Sequence, residues 1–507
     1  MSLALTACGG GTPVAPAPPP SQQGLMTRGP YLQHADDGVA VVWHTTTPGA
    51  GRVRFFSDAE VTGEAVAPAG TGDKHEATLR GLVPGTRYSY RVYSPLGPLA
   101  STSGEVEFSF RAPETGVLRF VAFGDCGSGT ADQRAVAAAL GAESLLPDLV
   151  MIVGDVVYSP YDATSYDAKF FTPYAALLPQ VPFYALLGNH DYEFDRARPF
   201  FDVFSLPRNG PAGLAPESSY SLERAGVQLI VHDTNQSVAT LRQQSLPWQL
   251  SLARRPATFR IVFQHHPLFS SGPSSTDATM EPLRELLAPF YAANGVDLVF
   301  NGHDHFYERT RPIGGVSYVT TGAGGAELYA RSTVNRFTAV FVNDRHGYTH
   351  VEASGRTLRL RQMDTAGARY DELELTKPVT AADPLLSFAG AGAPPRGWRE
   401  AGYDDSGWHE AAPAAGTLRA RRGFDVAPAA RVGEAVLRVS GVSDFRVRLN
   451  EVEVARGGLA GDAATASFSV PAGLLRAGRN ALAIEGFARS EAARPSLELV
   501  LLSSAPP

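Results

Sequence analysis

Five short clusters hold most of the residues in this sequence that could do chemistry. They are Asp125-Cys126-Gly127, Gly154-Asp155-Val156-Val157-Tyr158, Gly188-Asn189-His190-Asp191, His265-His266-Pro267 and Gly302-His303-Asp304-His305. Carboxylates, imidazoles, an amide oxygen and a phenol make a mixed oxygen and nitrogen donor set, suited to iron, zinc or manganese rather than to thiophilic ions. There are more donors than one ion needs. A carboxylate can bridge two ions held about 3.5–4 Å apart, and such a pair clamps the attacking and leaving oxygens of an in-line displacement. Singly, each cluster is weak, because a histidine at a strand end is most often a satisfied polar residue and Gly-Asp is a common turn. Jointly, in this order and each behind an apolar run, chance explains them poorly.

Those runs are the elements that must do the positioning. "VLRFVAFGD", "PDLVMIVGD", "VPFYALLGNHD", "VQLIVHDTN", "FRIVFQHHP" and "VDLVFNGHDH" each end at a polar cluster, and five of the six end on a metal donor. Helical patterns such as "ADQRAVAAALGAES" and "MEPLRELLAPFYAANG" lie between some of them. Near-continuous apolar strands alternating with helices imply a largely parallel sheet buried on both faces. Ligands of such sheets gather beyond the carboxyl ends of the strands. Glycines before the donors let the backbone turn sharply toward one point.

In this order the motifs resemble the metallophosphoesterase (calcineurin-like) superfamily, and among its members the purple acid phosphatases. Most of the superfamily carries Asp-x-His in the first motif; here Gly127 stands at the histidine position, and Tyr158 follows Asp155 by three residues. That paired exchange marks the purple branch, and "GHDHFYER" and "RGPYLQ" match its last motif and the start of its N-terminal domain. The similarity runs over roughly residues 28–377. It implies an α/β central sandwich of two mixed sheets flanked by helices, with all-β sandwich domains at both ends. It also implies that Asp125, Tyr158 and His305 hold Fe(III), that Asn189, His265 and His303 hold a divalent iron, zinc or manganese, and that Asp155 bridges them. A phenol keeps its proton to about pH 10, and a hard, highly charged cation is what displaces it.

The activity implied is hydrolysis of a small phosphate monoester by in-line attack of a metal-bound hydroxide, an acid phosphatase without a phosphoenzyme. Asp155 and His190 are the catalytic candidates, with His190 touching the phosphate and protonating the leaving alkoxide, or else orienting Asn189. Asn189 and His266 are further substrate candidates, although an exposed neighbour of the site is the blander reading of His266. "LFSSGPSSTDAT" supplies only serine and threonine where plant members of the family place a histidine pair. His232 and Cys126 read as structural, the latter as a small buried filler facing away from the site. "VTTGAGGAELY" reads as tight backbone close to the site. A phosphodiesterase or nucleotide pyrophosphatase on the same donors is the alternative, and a non-catalytic surface binding protein with a retired site is a third reading.

The 507 residues exceed one core and divide at composition changes into 1–27, 28–113, 114–378 and 379–507. The second segment alternates as a small sandwich resembling fibronectin type III, with Leu82, Pro84 and Tyr88 forming a corner tied by the tyrosine hydroxyl. The last resembles galactose-binding-like jelly-roll modules, where Trp398 and Trp408 are core residues or face a glycan. Leu5-Thr6-Ala7-Cys8 ahead of a Gly/Pro-rich tether resembles a lipobox, which implies cleavage, a lipid on Cys8, and an exported protein that is either membrane-anchored at the periplasm or cell surface, or secreted. There are only two cysteines, so no disulfide framework exists. A formal charge of −7 without dense basic tracts argues against a sequence-specific nucleic-acid partner.

Overall fold

A computed structural model describes residues 26–504 apart from 47, 58–59, 69–72, 95–96, 101–103, 389–392, 412–415, 428–430, 460–464 and 489–493. Cys8 and the tether lie outside the described residues. Among the described residues no helix is long and apolar enough to cross a membrane.

All six apolar runs are strands, and they fall into two sheets. Phe183–Ala185, Leu149–Ile152 and Val117–Phe123 pair in parallel in one. Val227–Val231, Phe259–Phe263 and Leu298–Asn301 pair in parallel in the other, joined by Ser317–Thr321. Both sheets also carry antiparallel strands, so they are mixed: Gly347–Ser354 runs against Val117–Phe123, and Tyr220–Arg224 against Val227–Val231. The faces meet through aromatic rings. Phe120 of the first sheet lies 5.6 Å from Phe263 and 5.9 Å from Phe300 of the second. Helix Ala131–Gly141 makes one parallel crossover, its N-terminus capped by the Thr130 hydroxyl, which accepts from Gln133 N at 3.3 Å. Helix Met280–Ala293 makes another, burying Leu283, Leu287 and Tyr291 along one face. Short crossovers of this kind bring the carboxyl ends of both sets of strands to the same edge of the sandwich.

The N-terminal segment is two sheets over Trp43, which is buried with Tyr88 and Tyr90. Met26–Ala35, Gly38–Thr45 and Lys74–Arg80 form one; Glu60–Ala67, Gly51–Ser57 and Arg87–Ser94 form the core of the other. At the corner Tyr88 Oη accepts from Val83 N at 2.9 Å. This unit docks beside the sheet edge at Phe183–Ala185: Leu32 N donates to Leu178 O at 2.8 Å, and Gln33 Nε2 to Phe183 O at 2.8 Å.

The C-terminal segment is not a separate bead. Strand Arg369–Val379 of the first sheet pairs antiparallel with Ser496–Ser504, from Leu373 opposite Ser504 to Val379 opposite Leu499. Glu434–Ser440 and Thr465–Val470 extend the sheet to nine strands. A six-stranded sheet led by Gly416–Val426 and Gly478–Ala488 packs over this extension. The boundary expected at 378/379 therefore falls inside a strand. Four buried charges stitch the junction. Arg438 donates to Asp297 Oδ1 at 2.7 Å and Glu498 Oε2 at 3.2 Å, while Lys377 donates to Asp297 Oδ2 at 2.8 Å and pairs with Glu498. Trp398 and Trp408 stack at 5.7 Å and are 3 and 8 % exposed, so neither indole offers a face to a sugar.

Candidate metal centre

Asp125 follows strand Val117–Phe123, Asp155 and Tyr158 follow Leu149–Ile152, and Asn189 and His190 follow Phe183–Ala185. His265 follows Phe259–Phe263 on the second sheet, and His303 and His305 follow Leu298–Asn301. All of them meet at one edge. Asp125, Asp155 and His303 have φ of 56°, 51° and 70°, the left-handed region that costs a non-glycine residue about 1–3 kcal/mol. The surrounding loops enforce it. Gly302 N donates to His265 O, and Gly124 N to Thr321 O, so main chain from both sheets is laced together around the site.

The donors fall into two groups. In the first, Tyr158 Oη lies 3.0 Å from His305 Nε2, which is 3.5 Å from Asp125 Oδ1. In the second, Asn189 Oδ1 lies 3.0 Å from His265 Nε2 and 2.9 Å from His303 Nδ1. Asp155 sits beside the second group, its Oδ1 3.4 Å from His265 Nε2, and its loop carries Tyr158 of the first. Ligand atoms of Asp125, Asp155 and His265 all lie within 4.8 Å of one another.

These residues fit a pair of metal ions. Donors about 2.0–2.2 Å from a common cation are about 3 Å from one another, the separations seen within each group. Burial, then the Asp155 charge, pushes the Asp125 carboxyl far above its usual range, and burial pushes Asp155 up to about 6. No lysine or arginine pairs with either among the described residues, so two buried acids await a cation. Burial drives His265 well below its usual range and His305 down to about 4, which leaves both neutral. Their tautomers are fixed from behind. His265 Nδ1 is 2.9 Å from Val153 O and His305 Nδ1 is 2.8 Å from Glu327 O, so each donates its proton away and turns a bare Nε2 to the site. Burial, with Asp125 and Asp155, raises the Tyr158 phenol strongly, so a cation is needed to make it a phenolate.

Gly127 explains the histidine that is missing. A Cβ there would stand 2.1 Å from Val156 O and 2.4 Å from Val157 Cα. The loop that delivers Tyr158 occupies that space, closed by Tyr158 N donating to Gly127 O at 3.0 Å and Gly127 N to Asp155 O at 3.3 Å. Gly154, at φ 94°, likewise admits His265, whose Nδ1 would lie 2.2 Å from a Cβ.

Several expectations shift in detail. His266 is buried, not exposed: its Nδ1 lies 2.9 Å from Thr234 Oγ1 and its ring 4.9 Å from that of His303. His190 bonds through its side chain to Glu193 Oε1 at 2.6 Å rather than to Asn189, and its Nε2 lies 3.9 Å from Asp155 Oδ2. Three serines after His266 are turned to carboxylates, Ser270 Oγ to Asp304, Ser271 Oγ to Glu308 Oε1 at 2.6 Å and Ser274 Oγ to Asp304 Oδ1 at 2.8 Å. His232 is structural, its Nδ1 3.0 Å from Tyr291 Oη, and Cys126 is fully buried. The segment after Thr321 does approach closely: Ala326 N donates to Asp125 O at 2.9 Å, and Tyr329 stacks on His305 at 3.9 Å. Asp191, given no role by spacing, is buried and accepts from Gly188 N, Val156 N and Val157 N at 2.9, 3.3 and 3.4 Å, tying two donor loops together.

Comparison with known proteins agrees with this geometry. Residues 118–307 match the family described as calcineurin-like phosphoesterase. The chain is 29% identical over 283 residues to purple acid phosphatase 3 of Arabidopsis thaliana, covering 50% of this chain and 76% of that one. It is 26% identical over 334 residues to the Fe(3+)-Zn(2+) purple acid phosphatase 12 of the same plant, covering 60% and 68%. The structure of a purple acid phosphatase from yellow lupin (Lupinus luteus) seeds superposes with a TM-score of 0.59 at 20% identity, over 69% of this chain and 74% of the other. The strand order, the converging donors and the matched segment together make this chain a phosphoric-ester hydrolase with a calcineurin-like phosphoesterase segment over residues 118–307.

Proposed function

We propose that the chain is an acid phosphatase hydrolysing phosphate monoesters at an iron-containing two-metal centre of the purple type. The observation that carries this reading is the placement of Tyr158 Oη 3.0 Å from His305 Nε2 in the group that also holds Asp125. In this reading Asp125, Tyr158 and His305 hold Fe(III), Asn189, His265 and His303 hold a divalent ion, and Asp155 reaches both. The name of the Fe(3+)-Zn(2+) relative supports zinc or another divalent partner. A bound pair of ions supplies Lewis acidity for the phosphoryl oxygens and acidifies water as the nucleophile.

The chain's own residues do the rest. Asn189 Oδ1 stands beside His265 Nε2 and His303 Nδ1 as a further donor to the divalent ion, which leaves its amide nitrogen to donate to a phosphoryl oxygen. Glu193 accepts from His190 Nδ1 and so turns Nε2 toward the centre. Protonated, that Nε2 can give its proton to the departing alkoxide. With its side chain 37 % exposed, His190 stands at the open side of the site, where a leaving group departs. Ser270, Ser271 and Ser274 beyond His266 are held by Asp304 and Glu308 and are not free to clamp phosphate, which suits a pocket tolerant of varied alcohols.

Elemental analysis with a visible spectrum of protein purified without chelator tests the metals: two ions per chain and a purple or pink band are expected. Comparison of kcat/KM on p-nitrophenyl phosphate and its bis ester tests the substrate class. A strong preference for the bis ester overturns the monoesterase reading and favours the diesterase. Export with a lipid on Cys8 rests on Leu5-Thr6-Ala7-Cys8 and the Gly/Pro-rich stretch that follows it, and metabolic labelling with a fatty acid tests it.

A further inference from the structure

The loop that delivers Tyr158 is held by a contact that no donor motif accounts for. Lys169 Nζ donates to the Tyr158 carbonyl oxygen at 2.6 Å. The next residue, Ser159, turns left-handed with φ 52°, so this carbonyl is the last fixed point before the chain leaves the site. Among the described residues Lys169 makes no ion pair, although Asp167 is two positions away. Arg28 of strand Met26–Ala35 takes that carboxylate instead, with Nη2 donating to Oδ2 at 2.9 Å and Nε to Oδ1. The same guanidinium lies 5.2 Å from the centroid of Phe171.

Lys169 sits in the middle of a π-helical turn, Asp167–Phe171, closed by Thr172 N donating to Asp167 O at 2.9 Å. Such turns carry one extra residue, fit poorly and recur at functional sites. This one is braced on both sides. Buried Gln133 donates through Nε2 to Lys169 O at 2.5 Å and accepts from Gly129 N at 2.8 Å, while Arg28 holds Asp167 from the N-terminal sandwich. The braces leave the ammonium one destination, the main chain of a metal donor.

We propose that Lys169 is a positioning residue for Tyr158, and that the N-terminal sandwich sets the geometry of the metal centre through the relay Arg28–Asp167–Lys169–Tyr158. This rests on the reading of Tyr158 as a metal ligand. A charge-assisted hydrogen bond to the ligand's own carbonyl fixes where its side chain starts. Partners standing behind metal ligands typically change metal affinity or activity by roughly 10–100-fold when removed. The N-terminal sandwich is then part of the metal centre's support and not a spacer.

The test uses the full chain and its Lys169→Met, Lys169→Arg and Asp167→Asn variants. Each is loaded with metal and challenged with chelator, and loss of each ion is followed by elemental analysis beside thermal melting and the visible spectrum. Lys169→Met is expected to lose one of its two ions at least about tenfold faster than wild type, with a melting temperature little changed and a shifted visible band. Lys169→Arg should restore retention, and Asp167→Asn should fall between. Wild-type retention and band in Lys169→Met overturn the proposal, as does equal loss of both ions with a collapsed melting temperature. Should Lys169→Met not fold, Asp167→Asn gives the same comparison. Tyr158→Phe separates the two ideas: if it keeps both ions the ligand reading fails, whereas if it loses one and Lys169→Met does not, only the relay fails.

Discussion

Gly127→Ala is the smallest change that tests why this site uses a tyrosine. The added methyl carbon would meet Val156 O at 2.1 Å and Val157 Cα at 2.4 Å, against optimal carbon contacts of about 3.5–4.0 Å. The two segments must therefore part by more than about 1 Å. Parting breaks Tyr158 N to Gly127 O and Gly127 N to Asp155 O, each contributing about 1 kcal/mol. Overpacking adds about 1–3 kcal/mol, so the total is about 3–5 kcal/mol. For a domain of this size that lowers the melting temperature by roughly 6–20 °C. The displaced segment carries Asp155 and Tyr158, so metal content should fall along with stability. Differential scanning fluorimetry and elemental analysis of the same preparation read both. A Gly127→Ala protein melting within about 1 °C of wild type with two ions bound would refute the steric account. Gly127→His combined with Tyr158→Phe should not recover a metal centre, because the imidazole has no space to enter.

Tyr158→Phe should abolish any tyrosinate-to-iron band and lose an ion; an unchanged spectrum removes iron or Tyr158 from the centre. Asp155→Ala should bind at most one ion and turn over at least about 10²-fold more slowly, and two retained ions with near-normal turnover contradict its shared position. Glu193→Gln should slow esters of poorly leaving alcohols more than p-nitrophenyl phosphate, measured as the ratio of the two kcat values, since it weakens the orientation of His190 as a proton donor. At the domain junction, burial would raise the Asp297 carboxyl, but Lys377 and Arg438 beside it hold it below its usual range. A depressed folded value means that its stabilisation is present above the unfolded pKa of about 3.9 and is lost as pH falls through the folded value. Acid unfolding of Asp297→Asn should accordingly take up about one proton fewer below about pH 4 than wild type.

The donors were legible because each follows a strand buried on both faces, and such strands announce themselves as unbroken apolar runs ending in glycine and a polar residue. Strands that face water did not. Glu60–Ala67 is mostly exposed, Val61 and Val66 included, so the alternation that reveals its neighbours is absent. The pairing of Arg369–Val379 with Ser496–Ser504 has no local trace either, since the first is an ordinary alternating strand, the second an ordinary buried run, and only their partnership is unusual. Roles fixed by tertiary contacts were equally hidden. Asp191 and Glu193 look like motif spacing until their acceptors are seen, and Lys169 lies in a segment with no motif at all. His266 looked like an exposed neighbour because adjacency to a ligand says nothing about which way the next side chain packs.

The shared sheet has a consequence for biosynthesis. Arg369–Val379 leaves the ribosome long before Ser496–Ser504, the strand that finally pairs with it. Until then the first sheet presents an open edge with unpaired main-chain groups, a template for pairing with another chain. The lysine and arginine that meet Asp297 are likewise divided, Lys377 arriving early and Arg438 late, so this carboxylate is only half neutralised in a nascent chain. Completion of the hydrolase therefore waits on its C-terminal strands, and chains stalled or truncated before them should be the ones that aggregate.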